Sequence, residues 1–431
     1  MNKTKYAIVG LVLAANGVHA QTSGTQIELY GVLDVAVGKV EHSLSVDPNF
    51  PFGVNPVSAT SSVHVPNSVT GMFNGGVSDS RWGIRGSEDL GAGMKAVFTL
   101  ESGFNLPDGA LNNGTASLAN NTASGPNVSA NTSLNGQFFN RAANVGLADS
   151  NLGTITFGRN YGPIFDIVVN YDPVQAADLF SPLGFSGTFG GGGGVSEDTR
   201  IDNSVRYKNQ IGSVNFGGFY KMGGVAGSST AQSGYGLNMG YEAGDFGIQS
   251  AYEEFTDALK TGNSTVAGDI NLTNFNTTAF FVAAKYHFGD ATIRGGYETY
   301  TLKAPSDTLA SMGVTSLYGY TVGNASSASA NFSAADQTTD IWFIGGDYNF
   351  TPSLNLALGF YDVMLKQSSD LKQLDGNAYY YSALLDYHFS KRTDVYAGYM
   401  YDSFKGANFS APFASLNTTN YITAIGIRTK F

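Results

Sequence analysis

From Gln26 to the last residue, apolar and polar positions alternate in runs separated by turn-forming residues. The clearest run is Ser353 to Asp362, where Leu354, Leu356, Leu358 and Phe360 share one face and Asn355, Ala357, Gly359 and Tyr361 share the other. A period of two predicts a strand with unlike faces. The same reading sets Ile201, Asn203, Val205 and Tyr207 against Arg200, Asp202, Ser204, Arg206 and Lys208. One face suits lipid or protein and the other suits water. Short polar turns are predicted near 87–93, 148–153, 208–213, 242–246, 289–291, 349–353 and 390–393, and they alternate with long loops rich in Asn, Ser, Gly and Thr. Strands of roughly ten residues joined alternately by short turns and long loops are the pattern of a transmembrane barrel, and the breaks allow about sixteen of them, with both chain ends at the short-turn side. The expectation is therefore an all-β, antiparallel transmembrane barrel. Long loops would count against a compact soluble domain, but here they are the expected external loops.

Three turn entries are near-copies: Tyr286-His287-Phe288, Tyr348-Asn349-Phe350 and Tyr387-His388-Phe389. Their first and third residues point outward together, predicting an aromatic girdle at one face of the bilayer. The last strand, Tyr421 to Phe431, should carry Ile425, Ile427 and Phe431 outward and Arg428 and Lys430 inward.

Composition agrees with a wall wetted on one side: charged residues make up 13%, aromatics 13%, and 55 of the 431 residues are glycine. Lys3 and Lys5 precede an apolar run from Ala7 to Ala15, and Val18-His19-Ala20 offers a small-x-small cleavage pattern. Residues 1–20 read as a signal peptide removed before Gln21, leaving 21–431 as the barrel domain, because the apolar run is shorter than the roughly 20 residues a spanning helix needs. The formal charge of −11 becomes more negative when Lys3 and Lys5 leave, which argues against nucleic acid as a partner. With no cysteine in the chain, disulfide scaffolds, thiol chemistry and thiolate metal sites are excluded.

Seven blocks resemble the Gram-negative general porins, most closely the β-proteobacterial type: Leu29 to Asp34, Ser80 to Leu90, Leu100 to Phe104, Gly158 to Gly162, Asp202 to Tyr207, Ser390 to Asp394 and Gly426 to Phe431. They occur in family order along the whole chain. The resemblance implies a sixteen-stranded homotrimeric barrel with a third external loop that folds inward and constricts the pore. A terminal outward Phe431 is similar to the signal read by barrel-assembly machinery. Outer-membrane lipid and lipopolysaccharide are the implied surroundings, and small hydrophilic solutes and ions the implied cargo. Departures from the family are Asn144, where a large aromatic is common, and Ser186 to Glu197 with its run Gly190 to Gly194.

By parity, Arg81, Arg85, Arg141, Arg159, Arg200 and Lys208 face the pore. The family pattern makes them a basic ladder, opposed by Asp166, Asp172 and Asp178 of the inward loop, with Asp166 so near the strand end that it can instead anchor the loop root. A basic wall facing an acidic loop sets up a transverse field that sorts solutes by size, polarity and charge. Because most loop carboxylates lie outside the constriction, where salt screens charges within about 8 Å, the ladder, offset only partly by Asp172 and Asp178, predicts a weak to moderate anion preference. Opposite the arginines, Ala142, Asn144, Gly146, Thr154, Thr156 and Gly158 suggest a close-packed subunit interface on strands two to five.

Rival readings are a catalytic barrel, an adhesin and a substrate-specific channel. Catalysis needs a nucleophile with a positioned base. The mature chain has His42, His64, His287 and His388 but neither G-x-S-x-G nor H-E-x-x-H, so no catalytic residue, cofactor or metal is expected. Long polar loops fit porin and adhesin alike. Tyr30, Phe219 and Tyr361 are inward aromatics too scattered to form a track.

Overall fold

The computed structural model describes residues 19–22, 24–42, 67–111, 138–183, 200–224, 229–230, 233–256, 259–261, 272–274, 276–303, 316–317, 320–321, 337–367, 375–406 and 418–431. Gly190 to Gly194 and the rest of Ser186 to Glu197 lie outside them, as do His64 and the residues before His19, which include most of the expected signal peptide.

Sixteen antiparallel strands close on themselves. In chain order they are β1 (Thr25–His42), β2 in two collinear pieces (Asn67–Asn74 and Arg81–Gly91), β3 (Met94–Gly103), β4 (Ala142–Asp149), β5 (Gly153–Tyr161), β6 (Arg200–Ile211), β7 (Val214–Lys221) and β8 (Gly234–Ala243). The second half comprises β9 (Phe246–Phe255), β10 (Asn276–Phe288), β11 (Ala291–Lys303), β12 (Gln337–Thr351), β13 (Leu354–Gln367), β14 (Gly376–His388), β15 (Thr393–Gly406) and β16 (Thr418–Lys430). Each pairs with its sequence neighbour, and β1 closes the cylinder on β16, from Val32 opposite Lys430 to His42 opposite Asn420. Closure satisfies every edge, which is what permits strands to cross a membrane. All seven predicted short turns fall between paired strands.

The faces sort by parity. On β13, Leu358 is exposed outward while Ala357 and Tyr361 are buried inward, as the sequence predicts. The three aromatic pairs stand outward at the short-turn end, with ring centroids 6.4, 5.0 and 5.3 Å apart within each pair. At the closing seam, Phe431 exchanges two backbone hydrogen bonds with Gly31, each 3.0 Å long. A side chain at residue 31 would collide with the Phe431 ring, so glycine is required there.

Where β2 is interrupted, the buried Asp34 carboxylate takes over the missing ladder. It accepts the N–H groups of Gly76 (3.1 Å), Val77 (3.2 Å) and Ser78 (2.8 Å) and the hydroxyl of Tyr396. Donors that would otherwise be buried without partners are thus satisfied.

Two parity assignments are corrected. The register sets Ala142 opposite Glu101 and Gly146 opposite Val97, and Glu101 points into the lumen. Ala142, Asn144 and Gly146 therefore face inward, as do Thr154 and Thr156, which sit opposite Lys208 and Arg206. The outer wall of these strands instead carries exposed Val145, Leu147 and Phe157. The cause is that Arg141 precedes its strand and Arg159 follows a bulge, with Gly158 at φ +126° and a register shift before Asn160, so counting from those arginines inverts the faces. Likewise Ile201 packs inside against Phe219 and Phe255, because Asn203 at φ +51° turns the start of β6.

Candidate functional site: the lumen and its inward loop

The segment after β5 turns into the barrel. Gly162-Pro163 opens helix α1 (Pro163–Tyr171), with proline in the first turn, where its missing N–H does no harm. Ile164, Ile167, Val168 and Tyr171 recur at helical spacing and form its buried face. The helix stops at Asp172 because the following Pro173 disfavours α geometry in the residue before it.

Anchors carry this loop across the lumen. The Ile164 N–H donates to Glu253 Oε1 on β9 at 2.8 Å, and Tyr171 Oη donates to Glu242 Oε1 on β8 at 2.8 Å. Lys285 of β10 pairs with the same Glu242 at 3.0 Å and lies 4.6 Å from the Tyr171 ring centre. Tyr361 of β13 donates to Asp172 Oδ1 at 2.7 Å. Phe180 meets Tyr396 of β15 edge-on, and the Leu179 N–H donates to Gly76 O at 3.0 Å, so the loop also touches the wall near β1 and β2.

On the wall beside the loop, three arginines gather around two acids. Arg141 binds Glu101 Oε1 and Asp79 Oδ2, both at 2.8 Å; Arg81 lies 3.8 Å from Glu101 and Arg200 3.9 Å from Asp79. Tyr30 and Tyr161 donate to Glu101 at 2.9 and 2.6 Å. The Tyr161 ring also lies 5.9 and 5.5 Å from the guanidinium carbons of Arg141 and Arg200. Three cations against two carboxylates leave the cluster with one positive charge in excess before the loop is counted. Asp178 faces it from the loop. Burial and the neighbouring Asp79 push its carboxyl well above the usual range, against the pull of Arg141.

The expected site residues divide accordingly. Arg81, Arg141, Arg200 and Asp178 come together. Arg85 faces the lumen apart from them, held by Glu28 at 2.6 Å over the Tyr30 ring. Lys208 binds Asp166 at 2.6 Å beside Arg206, which binds the same carboxylate. Burial pushes Asp166 upward, but these two cations prevail and hold it below the ordinary range, so it anchors the loop root through ion pairs. Asp172 is a correction: fully buried, it accepts Tyr361, Ser181 and the Ala176 N–H, folding the loop rather than facing the pore. Burial raises its carboxyl despite those bonds. Arg159 is a second correction. The register places it opposite Ala143 on the outer-wall parity, where it donates to Asn140 O and Asp202.

Asp79, Glu101, Tyr161 and Arg206 complete the constellation beyond the expected residues. Arg206 stood on the inward parity and Glu101 and Tyr161 within motif blocks, so each left a signal. Asp79 left none, since its position depends on the break in β2. Asp386, His388 and Asp394 also cluster on the lumen wall at the short-turn end, with Arg428 3.1 Å from Asp394.

The Gram-negative porin family model matches residues 7–407. This chain belongs to that family, and its place is the outer membrane. A Bordetella pertussis outer membrane porin protein is 31% identical over 214 residues, 48% of this chain and 44% of that one. Outer membrane porin protein 32 of Delftia acidovorans is 27% identical over 298 residues, 68% of each chain. The matched part thus spans less than half of the first relative. Among solved structures, an anion-selective porin from Comamonas acidovorans shares the fold, with a TM-score of 0.61 at 20% identity over 94% of this chain and all of that one. The trimer form of OmpT from Vibrio cholerae gives 0.54 at 15% identity over 95% of this chain and all of that one.

Proposed function

We propose that the chain is a general diffusion porin: a water-filled channel for small hydrophilic solutes and ions, narrowed by the loop from Gly162 to Leu183, and weakly anion-selective. The observation that carries this reading is the excess positive charge of Arg81, Arg141 and Arg200 beside an inward loop whose Asp178 burial holds toward neutrality. Fixed cations in a narrow, poorly screened passage favour anions by raising their local concentration. The name of the Comamonas structure, an anion-selective porin, supports the same direction. Signal cleavage before Gln21, insertion through Phe431 and contact with lipopolysaccharide complete the reading. So does assembly as a homotrimer, in keeping with the trimeric Vibrio relative.

The test is a planar-bilayer reversal potential under a salt gradient. The parent is expected to favour anions weakly, and Arg81→Ala and Arg200→Ala to move the potential toward cations. Cation preference in the parent would overturn the reading, as would variants without a shift. Mass spectrometry of the outer-membrane protein should find Gln21 as the first residue, and an intact Met1 would refute cleavage.

A further inference from the structure

Where β14 hands over to β15, three side chains able to ligate a metal share one face of the lumen wall. His388, the last residue of β14, stands opposite Asp394 across the turn, and Asp386 lies two residues earlier on the same face. The backbone beneath them is fixed: the His388 N–H donates to Ser353 O at 2.8 Å, and the Phe389 N–H closes the turn on Thr393 O at 2.9 Å. One donor atom from each side chain falls within 4.8 Å of the other two. Yet the imidazole bonds to neither carboxylate. His388 Nε2 is 3.7 Å from Asp386 Oδ2 and Nδ1 is 3.9 Å from Asp394 Oδ1, both too long for hydrogen bonds. Asp386 Oδ1 is shut off from solvent and has no hydrogen-bond partner among the described residues. Donors that gather around a point without closing on one another are arranged as ligands are about an ion. Arg428 stands on the far side of Asp394 from His388, donating to its two oxygens at 3.1 and 3.2 Å, and lies 3.6 Å from Asp386 Oδ2. Each carboxylate oxygen keeps a second lone pair, and carboxylates that ligate metals are ordinarily held by such a partner. The other charges in reach are Lys430 and, beyond Arg428, Asp34. Carboxylates thus outnumber cations here by three to two.

We infer that Asp386, His388 and Asp394 form a binding site for a divalent cation of the Zn²⁺ class at the short-turn mouth of the channel. An imidazole with two carboxylates suits a borderline ion such as Zn²⁺, whereas Ca²⁺ and Mg²⁺ seek about six or more oxygen ligands. Three protein ligands leave one position to water. The His388 side chain, 39% exposed, opens the site to the lumen, and that of Asp394, 2% exposed, forms its floor. A bound ion ties β14 to β15 and adds positive charge to the channel wall.

The experiment is isothermal titration of the folded porin in neutral detergent, with Zn²⁺ alone and with Ca²⁺ alone, on variants whose heat resistance on gels matches the parent. The parent is expected to bind one Zn²⁺ per chain, and more tightly than Ca²⁺. His388→Ala and Asp386→Asn should each weaken Zn²⁺ at least about tenfold, the least that losing a metal contact costs. His287→Ala should leave it unchanged, because that imidazole bonds Thr292 at a different turn. On the unsubstituted chain, Co²⁺ should give a visible absorption band that excess Zn²⁺ removes, a readout that needs no variant to fold. A parent that binds no Zn²⁺ and shows no Co²⁺ band overturns the site, as does equal Zn²⁺ binding by the parent and His388→Ala. Ca²⁺ bound as tightly as Zn²⁺, and kept by His388→Ala, would also overturn it, leaving a pair of carboxylates that takes hard ions without the imidazole.

Discussion

At the scale of single residues, the lumen is organised by shared carboxylates rather than by a row of independent cations. Glu101 accepts hydrogen bonds from Arg141 and two tyrosines and lies 3.8 Å from Arg81, so it sets both the geometry and the net charge of the basic cluster. Replacing it by glutamine keeps the shape and removes the charge. The expected result for Glu101→Gln is a reversal potential shifted further toward anions, with folded barrel lost at lower temperature, since an uncompensated buried charge costs about 3–5 kcal/mol at its upper range. Arg159→Ala should behave oppositely: its guanidinium ties Asn140 to Asp202 on the outer-wall parity, so selectivity should stay at the parental value while resistance to heat in detergent falls. A selectivity shift on that substitution would return Arg159 to the pore. The contrast also explains what the sequence could reveal. Arg81 and Arg85 lie in the same piece of β2, from Arg81 to Gly91, and parity carries from one to the other, whereas Arg159 follows a bulge at Gly158, and no alternation of side chains announces a residue inserted on one strand only.

At the scale of elements, strands and short turns were legible because period two and turn chemistry are local. The inward course of the third loop came only from family resemblance, and helix α1 within it was not anticipated, although Ile164, Ile167, Val168 and Tyr171 carry its spacing. Its contacts are to strands as distant in sequence as β13 and β15, which no local pattern encodes. The root of this loop is held by Asp166 against Arg206 and Lys208. Because its folded carboxyl lies below the ordinary value of 3.8, the ion pairs contribute fully above that value and are lost only as pH falls through the lowered one. Single-channel recordings should therefore show a quiet open current at neutral and mildly acidic pH, with loop-dependent noise appearing only in strong acid. Asp166→Asn should bring that noise to neutral pH, and a silent variant would show that the remaining anchors suffice. Removing the Tyr361 hydroxyl with Tyr361→Phe leaves the buried Asp172 short of a donor, expected to cost about 1–3 kcal/mol, read as a lower unfolding temperature of the barrel.

At the scale of the whole molecule, closure depends on the pairing of the first strand with the last and on the Phe431 ring over Gly31. Gly31→Val should displace that ring and reduce the yield of heat-resistant barrel on gels, whereas the same substitution at a lipid-facing position of β1 should not. The seam has a temporal side as well. Residues that meet across it, such as Val32 and Lys430, stand almost the full chain apart, so the cylinder cannot close until the final residue has been delivered. Loop-closure entropy makes so remote a contact slow to form. Until it forms, the first and last strands each present a row of unpaired backbone groups to any neighbour. A chain built this way spends its whole transit in the state most prone to aggregate, and it becomes safe from its own edges in a single final step.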